Sequence, residues 1–433
     1  MVKGGLSTFR GKRILLLQGP VGPFFHRLAH DLTQAGAQVF KVNFNGGDWY
    51  FYRKGAFNFR GRPEDWPSYF ENLIEQLHVD MVMLFGDCRP LHRAAHQIAL
   101  QHGLEIGVFE EGYIRPHYVT LERFGVNGNS PLPRSPIYYL NNPPPAIEPP
   151  LQLGSTFWHA MRCAMLYYFA AGLLKPFFPH YIHHRPLTWL EVVPWLRSFW
   201  RKGYYAVKER GVMKLLLNKF PGQYFLVPLQ VHNDAQISEH SSFDTVADFI
   251  HGVMVSFADH APQNKILVIK HHPLDRGYSD YESFIAERVW SLGLQGRCLY
   301  IHDQHLPTLL DYACGVVVVN STVGLSAILH GAPVKVCGNA LYDMKGLTFQ
   351  RPLNRFWREA RHAKPDMALF RSFHDYLVEH SQLNGSFYKR LKIVASATGL
   401  KWAILQNVEG EVDISVPAES TRSLHDELTQ EVT

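Results

Sequence analysis

The amino-acid sequence predicts an α/β protein made of two Rossmann-like domains, and three observations carry that expectation. The chain has 433 residues, too many for one ordinary core, so two domains of roughly 200 residues each are expected. Short runs such as RILLLQ, LEIGVF, KILVIK and GVVVV are largely apolar, as strands covered on both faces are. Most run into a turn bearing Gly, His or Asn and then into a helical pattern, the β–turn–α order of a doubly wound parallel sheet.

Composition narrows the function classes. Hydrophobic residues make up 46% and charged residues 19%, a globular balance, and the formal charge of +5 favours acidic substrates or a membrane surface. That charge is too weak to argue for nucleic acid. The five cysteines are scattered with no CxxC, which reads as reduced core residues rather than disulfides or a zinc site. The N-terminus runs into a strand without an apolar h-region, so no secretory signal is expected. No strand-end DxD suggests a metal.

In the first domain, Arg13 to Gln18 is the opening strand. Gly19-Pro20-Val21-Gly22-Pro23 follows, then a helix from Phe24 to Ala35 capped by Gly36 and a strand from Gln38 to Phe44. The turn is not GxGxxG, and its two prolines remove amide donors, so it suits a sugar pocket better than a dinucleotide. Asn45-Gly46-Gly47-Asp48 reads as a loop, Val79 to Phe85 as a strand and Leu91 to His102 as a helix. The strand Leu104 to Phe109 then delivers Glu110 and Glu111, with Gly112 turning the backbone behind them. At the carboxyl end of a parallel strand these acids face the ligand crevice, and mutual repulsion raises one pKa relative to the other. The alternative is a loop whose acids pair with Arg115.

From about Thr156 to Tyr205 aromatics crowd together, among them Trp158, Tyr167, Phe169, Trp189 and Trp200, interleaved with Arg162, Lys175, Arg185, Arg197, Arg201 and Lys202. The longest charge-free run, Cys163 to Leu174, is 12 residues against the roughly 20 that a spanning helix needs. Two readings fit: an interfacial segment on an anionic leaflet, or an aromatic helix pair packed between domains.

The second domain repeats the pattern. Tyr224 to Gln230, Lys265 to Lys270, Arg297 to Ile301, Gly315 to Val319 and Pro333 to Val336 are strands, and Thr245 to Ala261 and Leu306 to Tyr312 are helices. Asp234 follows the first of these strands. Lys270, His271, His272 and Pro273 form a cationic rim at the second, where His272 suits donation to a phosphate or protonation of a leaving group. Asn320-Ser321-Thr322-Val323-Gly324 opens a helix, so Ser321 and Thr322 act as a phosphate cradle or as an ordinary N-cap. A helix from Phe387 to Gln406 and an acidic, disordered tail from Glu409 to Thr433 complete the chain.

The Glu-Glu-Gly, His-Pro and Ser-Thr motifs resemble those of bacterial sialyltransferases, which use CMP-activated sugars. The segments LLLQGPVGPFF, FEEGYIRPHYVTLE, PLQVHND, IKHHPLDRG and NSTVGLSAILHG are more closely similar to the single-domain β-Kdo transferases of the capsule polysaccharide biosynthesis family of Gram-negative bacteria. The resemblance covers most of residues 13–350. It implies a GT-B-like fold, two Rossmann-like domains facing across a cleft, with CMP-Kdo as donor substrate and no cofactor. Its implied acceptor is phosphatidylglycerol or lysophosphatidylglycerol at the cytoplasmic face of the inner membrane, beside other capsule assembly proteins.

Residues 1–205 would then hold the acceptor, and the substrate contacts would be Gln18, Gly19, Gly22 and Arg115 there with Gln230 and Asp234 in the second domain. Residues 206–380 would hold CMP through Lys270, His272, Pro273, Ser321, Thr322 and Gly324, followed by a C-terminal helix over 381–408 and the tail over 409–433. A β-configured donor and a β-linked product imply retention, with a carboxylate nucleophile. Related enzymes have Glu-Asp-Gly, which maps the nucleophile to Glu111. The Glu here, one methylene longer, leaves Glu110 open for that role. Family members have also been described as export proteins, so a non-catalytic scaffold of the export complex is the alternative.

Overall fold

The computed structural model describes residues 2–182 and 192–402. Trp189, Arg185 and the acidic tail lie outside the described residues. The chain divides into two compact units, one of residues 1–126, 147–181 and 377–433, the other of 127–146 and 182–376. The aromatic-basic segment is therefore shared between them.

Unit 1 holds a seven-stranded sheet. Its strands are β1 (Arg13–Leu16), β2 (Gln38–Asn43), β3 (Ala56–Asn58), β4 (Met81–Phe85), β5 (Glu105–Glu111), β6 (Tyr118–Arg123) and β12 (Gln382–Asn384). The order is β12-β6-β5-β4-β1-β2-β3, parallel from β3 to β5 and antiparallel at β6 and β12. One apolar layer packs Phe24, Phe25 and Leu28 against Phe109 and Leu121, and the other packs Trp66 and Phe70 against Val82 and Val108. Because side chains alternate along a strand, Phe109 and Val108 fall on opposite layers.

Unit 2 holds β7 (Tyr224–Pro228), β8 (Ile266–Lys270), β9 (Cys298–Ile301), β10 (Gly315–Val318) and β11 (Val334–Val336), all parallel, in the order β11-β10-β7-β8-β9. Read from β9, this is the same winding as β3-β2-β1-β4-β5 in unit 1, and both are the 3-2-1-4-5 order of a Rossmann sheet. The Val246–His260 helix that covers it begins with a capping box formed by Thr245 and Asp248. Two α/β units with parallel central sheets are the class the sequence predicts.

Three expectations are corrected. Glu110 and Glu111 are the last two residues of β5 rather than a loop beyond it. Asn45–Asp48 opens a helix, Gly46–Phe51, because the Asn45 side chain accepts the Gly47 and Asp48 amides at 2.8 and 3.0 Å. The expected helix from Phe387 is absent over 387–402: after β12 the chain turns at Gly385 (φ 146°) and Gly399 (φ 73°). Phe387, Leu400 and Trp402 are inserted instead into the layer around Phe24 and Phe9.

Candidate active site

The carboxyl ends of β1, β2, β4 and β5 supply the polar groups of unit 1. Gln18, two residues past β1, is the hub. Its Nε2 donates to Asp48 at 3.2 Å and to the Tyr167 hydroxyl at 3.0 Å, and the Tyr181 hydroxyl lies 2.9 Å away. Arg89 Nη1 donates to its Oε1 at 2.7 Å. The Tyr167 hydroxyl in turn donates to Asp48 Oδ1 at 3.0 Å and accepts from Asn45 Nδ2 at 2.8 Å.

The glycine pair explains how a helix so distant in sequence reaches this point. A Cβ on Gly46 would sit 2.5 Å from the Ala170 carbonyl oxygen, and one on Gly47 would sit 2.7 Å from the Tyr167 ring. Gly46-Gly47 thus lets the Phe157–Leu173 helix lie directly on the Asn45 turn. Gly19 and Gly22 line an open depression with Lys41, Asp48, His26 and Tyr167. Gly19 has the Phe25 ring where its Cβ would be, and Gly22 adopts φ 117° against Cys163. Lys41 is buried, and desolvation pulls its ammonium down to about 8 against the opposing pull of Asp48.

Glu110 and Glu111 leave β5 on opposite faces. Glu110 Oε2 lies 3.6 Å from the Cβ position of Gly86 at the end of β4, and its Oε1 accepts the Glu111 amide at 2.9 Å. Desolvation, reinforced by the Glu111 charge, raises its carboxyl to about 7 despite that amide bond and Arg89. Glu111 accepts the Tyr388 hydroxyl at 3.1 Å, and Thr120 donates to its carbonyl. Gly112 has no room for a Cβ, because the Tyr118 carbonyl oxygen would be 2.1 Å away. Arg115 is exposed, its Nε turned back to the Gly112 carbonyl at 3.3 Å.

In unit 2, Gln230 stands two residues past β7 and donates to Asp234 at 2.9 Å and to Asn320 at 3.0 Å. Asp234 also caps the Gln236 amide. Lys270 closes β8, buried, its ammonium pulled down to about 8 by desolvation against Asp303 and Glu209. His272 Nδ1 accepts the Leu274 amide at 3.2 Å and so caps the turn Pro273–Asp275. Ser321 Oγ accepts the Val323 amide at 3.2 Å, while Thr322 precedes a seven-residue helix without a side-chain cap. Gly324 is required by packing, since its Cβ would meet the Tyr342 hydroxyl at 2.1 Å.

The sequence singled out the acids, both glutamines and the His-Pro turn. It did not single out Asn45, Asp48, Arg89 or Tyr167, and for the first two the Asn-Gly-Gly-Asp string was the available signal.

A family profile described as "Capsule polysaccharide biosynthesis protein" matches residues 80–388. The capsule polysaccharide export protein KpsS of Escherichia coli is 43% identical over 87% of this chain and 97% of its own length. The capsule polysaccharide modification protein LipB of Neisseria meningitidis serogroup B is 40% identical over 88% and 92%. Among solved structures, KpsC of Thermosulfurimonas dismutans, a β-Kdo 2,7 transferase, aligns with a TM-score of 0.45 at 17% identity, over 90% of this chain and 96% of that one. The profile match and the two relatives together establish that the chain belongs to the capsule polysaccharide biosynthesis protein family.

Proposed function

We propose that this protein moves Kdo from CMP-Kdo to a phosphatidylglycerol-type lipid with retention, starting the glycolipid on which a capsular polysaccharide is built. The observation that carries the reading is the end of β5, where one carboxyl is held near 7 and its neighbour, on the other face, is bound by Tyr388. Paired carboxyls in separate environments suit a double displacement. Glu111 attacks the anomeric carbon, and the bond from that carbon to the phosphate oxygen breaks with its electron pair leaving on CMP. The acceptor hydroxyl then displaces Glu111, and its proton passes to Glu110, whose carboxyl at about 7 is suited to accept it. Lys270, His272, Pro273, Ser321, Thr322 and Gly324 are assigned to the CMP side, and Gln18, Gly19, Gly22 and Arg115 to the acceptor side. The test is to incubate the protein with CMP-Kdo and a fluorescent lysophosphatidylglycerol and weigh the product. A lipid heavier by one Kdo supports the reading, and unchanged lipid overturns it.

A scaffold in capsule export is the second reading, favoured by the name of the Escherichia coli relative, a capsule polysaccharide export protein. It has no use for these carboxyls, and it predicts that CMP leaves the melting temperature of the protein unchanged.

Attachment to an anionic leaflet belongs to the same proposal. Among the described residues no helix is long and apolar enough to cross a membrane. The Phe157–Leu173 helix nevertheless leaves Trp158 68% and Phe169 71% exposed, with Arg162 and Lys175 beside them in sequence and also exposed. Trp158→Gln with Phe169→Gln should lower flotation with phosphatidylglycerol vesicles about tenfold or more. Unchanged flotation removes this helix from the contact. Arg201 is no part of such a surface: it is buried, donating to Asp280 at 2.6 Å and to the Arg276 carbonyl at 2.8 Å.

A further inference from the structure

The sequence motif directs attention to His272, but the turn that His272 caps holds a second imidazole in place. His232, in the loop after β7, has its Nδ1 hydrogen-bonded to Asp275 Oδ1. Asp275 Oδ2 accepts the His232 backbone amide at 3.2 Å and also the Ser279 hydroxyl. The carboxyl of Asp275 is wholly buried, whereas the His232 side chain remains 39% exposed. The ring stacks on Tyr278, with centroids 5.7 Å apart and planes 27° off parallel. One buried carboxylate therefore fixes both the backbone and the ring of His232, and only the Nε2 edge is left to meet a ligand.

The position is built into the fold. Asp275 ends the turn Pro273–Asp275, and its own amide donates to the His272 carbonyl at 3.0 Å. Its carbonyl accepts the Tyr278 and Ser279 amides at 2.9 and 3.1 Å. The string His-Pro-Leu-Asp is thus a rigid bracket for an acid that aims another residue. His271 offers no such edge: it is buried, its Nδ1 is bonded to the Tyr300 hydroxyl at 2.7 Å, and desolvation pushes it down to about 4. His232 also lies in the loop leaving β7, the central strand, between Gln230 and Asp234. The Gln230 amide spans there to Asn320 after β10, at the point where the winding of the sheet reverses and open α/β sheets take their ligands.

We propose that His232, aimed by Asp275, grips the phosphate of the donor nucleotide and stabilises the charge that grows on it as the sugar departs, with Asp275 as its positioning residue. This rests on the CMP-sugar reading given above. In the step concerned, the bond between the anomeric carbon and the phosphate oxygen breaks and the electron pair stays on that oxygen. The Nε2–H of the imidazolium donates a hydrogen bond to it. No proton is transferred and no co-reactant is needed. Donating through Nε2 while Nδ1 is bonded to Asp275 uses both ring nitrogens as donors.

The experiment compares CMP with cytidine, which lacks the phosphate, by calorimetry on the full chain, beside initial rates with CMP-Kdo. His232→Ala should lose about tenfold to a hundredfold in CMP affinity, as for one charge-assisted hydrogen bond, and leave cytidine unchanged. His232→Gln, whose side-chain amide reaches close to the Nε2 position, should recover part of the CMP affinity and less of kcat. Asp275→Asn should lower kcat more than it weakens cytidine. If that variant fails to fold, the Ala and Gln pair at His232 decides the matter. A His232→Ala variant that keeps the parental preference for CMP over cytidine, or loses both ligands alike, overturns the assignment. A parental protein that neither binds CMP nor consumes CMP-Kdo overturns instead the reading on which it rests.

Discussion

The two units share a frame and differ in chemistry. Each places a glutamine two residues beyond its first strand, Gln18 after β1 and Gln230 after β7. Each also buries a lysine on its second strand, in register with the last residue of the first: Lys41 pairs with Leu16, and Lys270 with Pro228. Both ammonium groups are pulled down to about 8 by burial. Around that common pair, unit 1 gathers the acids Asp48, Glu110 and Glu111, while unit 2 gathers His232, His272 and the Asn320–Thr322 amide and hydroxyls. The winding of a Rossmann sheet thus fixes where ligands sit, and the residues just past each strand decide the charge of what is bound there.

The largest expected effect tests the acid side. Glu111→Gln should retain CMP binding and lose transfer by at least about a thousandfold, as for a removed nucleophile. Glu110→Gln should leave a measurable rate. Intact-protein mass spectrometry with CMP-Kdo and no acceptor should show a Kdo adduct on Glu111. An adduct on Glu110 reverses the two roles, and parental rates in both variants make the pair structural.

The next effect weighs the two glutamines against each other. Gln18 serves Asp48, Tyr167, Tyr181 and Arg89, whereas Gln230 serves Asp234 and Asn320. Gln18→Leu leaves more buried polar groups without a partner, so it should cost about 2–4 kcal/mol against about 1–2 kcal/mol for Gln230→Leu. Urea unfolding midpoints measure the difference, and equal losses would mean that the frame, not the network, sets the worth of the position.

Why some of this was legible and some not follows from where the partners lie along the chain. Glu110 and Glu111 stand immediately after an apolar run, so strand reading finds them, whereas Gln18 and Gln230 end the expected strands Arg13 to Gln18 and Tyr224 to Gln230 and become site residues only through the family resemblance. Tyr167 meets Gln18 from 149 residues away, and no periodicity reports a contact of that separation. Aromatic crowding marks the Phe157–Leu173 helix as unusual, but composition has no direction: Cys163 and Tyr167 face inward, while Trp158 and Phe169 face out. Asp275 was hidden for another reason. A carboxylate in a His-Pro-Leu-Asp-Arg string reads as surface charge until the turn buries it. The stretch after β12 misled because its apolar residues suggest a helix, while Gly385 turns the chain just before it and Gly399 interrupts it.

The smallest expected effect separates the buried acid of unit 1 from the buried lysines by the sign of their response to pH. The Glu110 carboxyl moves from an ordinary 4.5 to about 7, so the folded chain keeps a proton that the unfolded chain releases. The stability tied to this group is complete below about 4.5 and is lost as pH rises through 7. Lys270 moves the other way, from 10.5 to about 8, so the folded chain gives up a proton that the unfolded chain keeps. Its contribution is complete above about 10.5 and is lost as pH falls through 8. Near neutrality both losses stand together. Glu110→Gln, which mimics the protonated acid, should therefore gain on the parent by about 1–2 kcal/mol more at pH 8 than at pH 4.5. Lys270→Met, which removes the buried charge, should gain by about 1–2 kcal/mol more at pH 7.5 than at pH 10.5. Urea midpoints at the two ends of each window give both differences. If the two variants drift in the same direction with pH, the division into an acid end and a base end does not describe the molecule. If each drifts as stated but Lys41→Met behaves unlike Lys270→Met, the lysines share a position in the frame without sharing an environment.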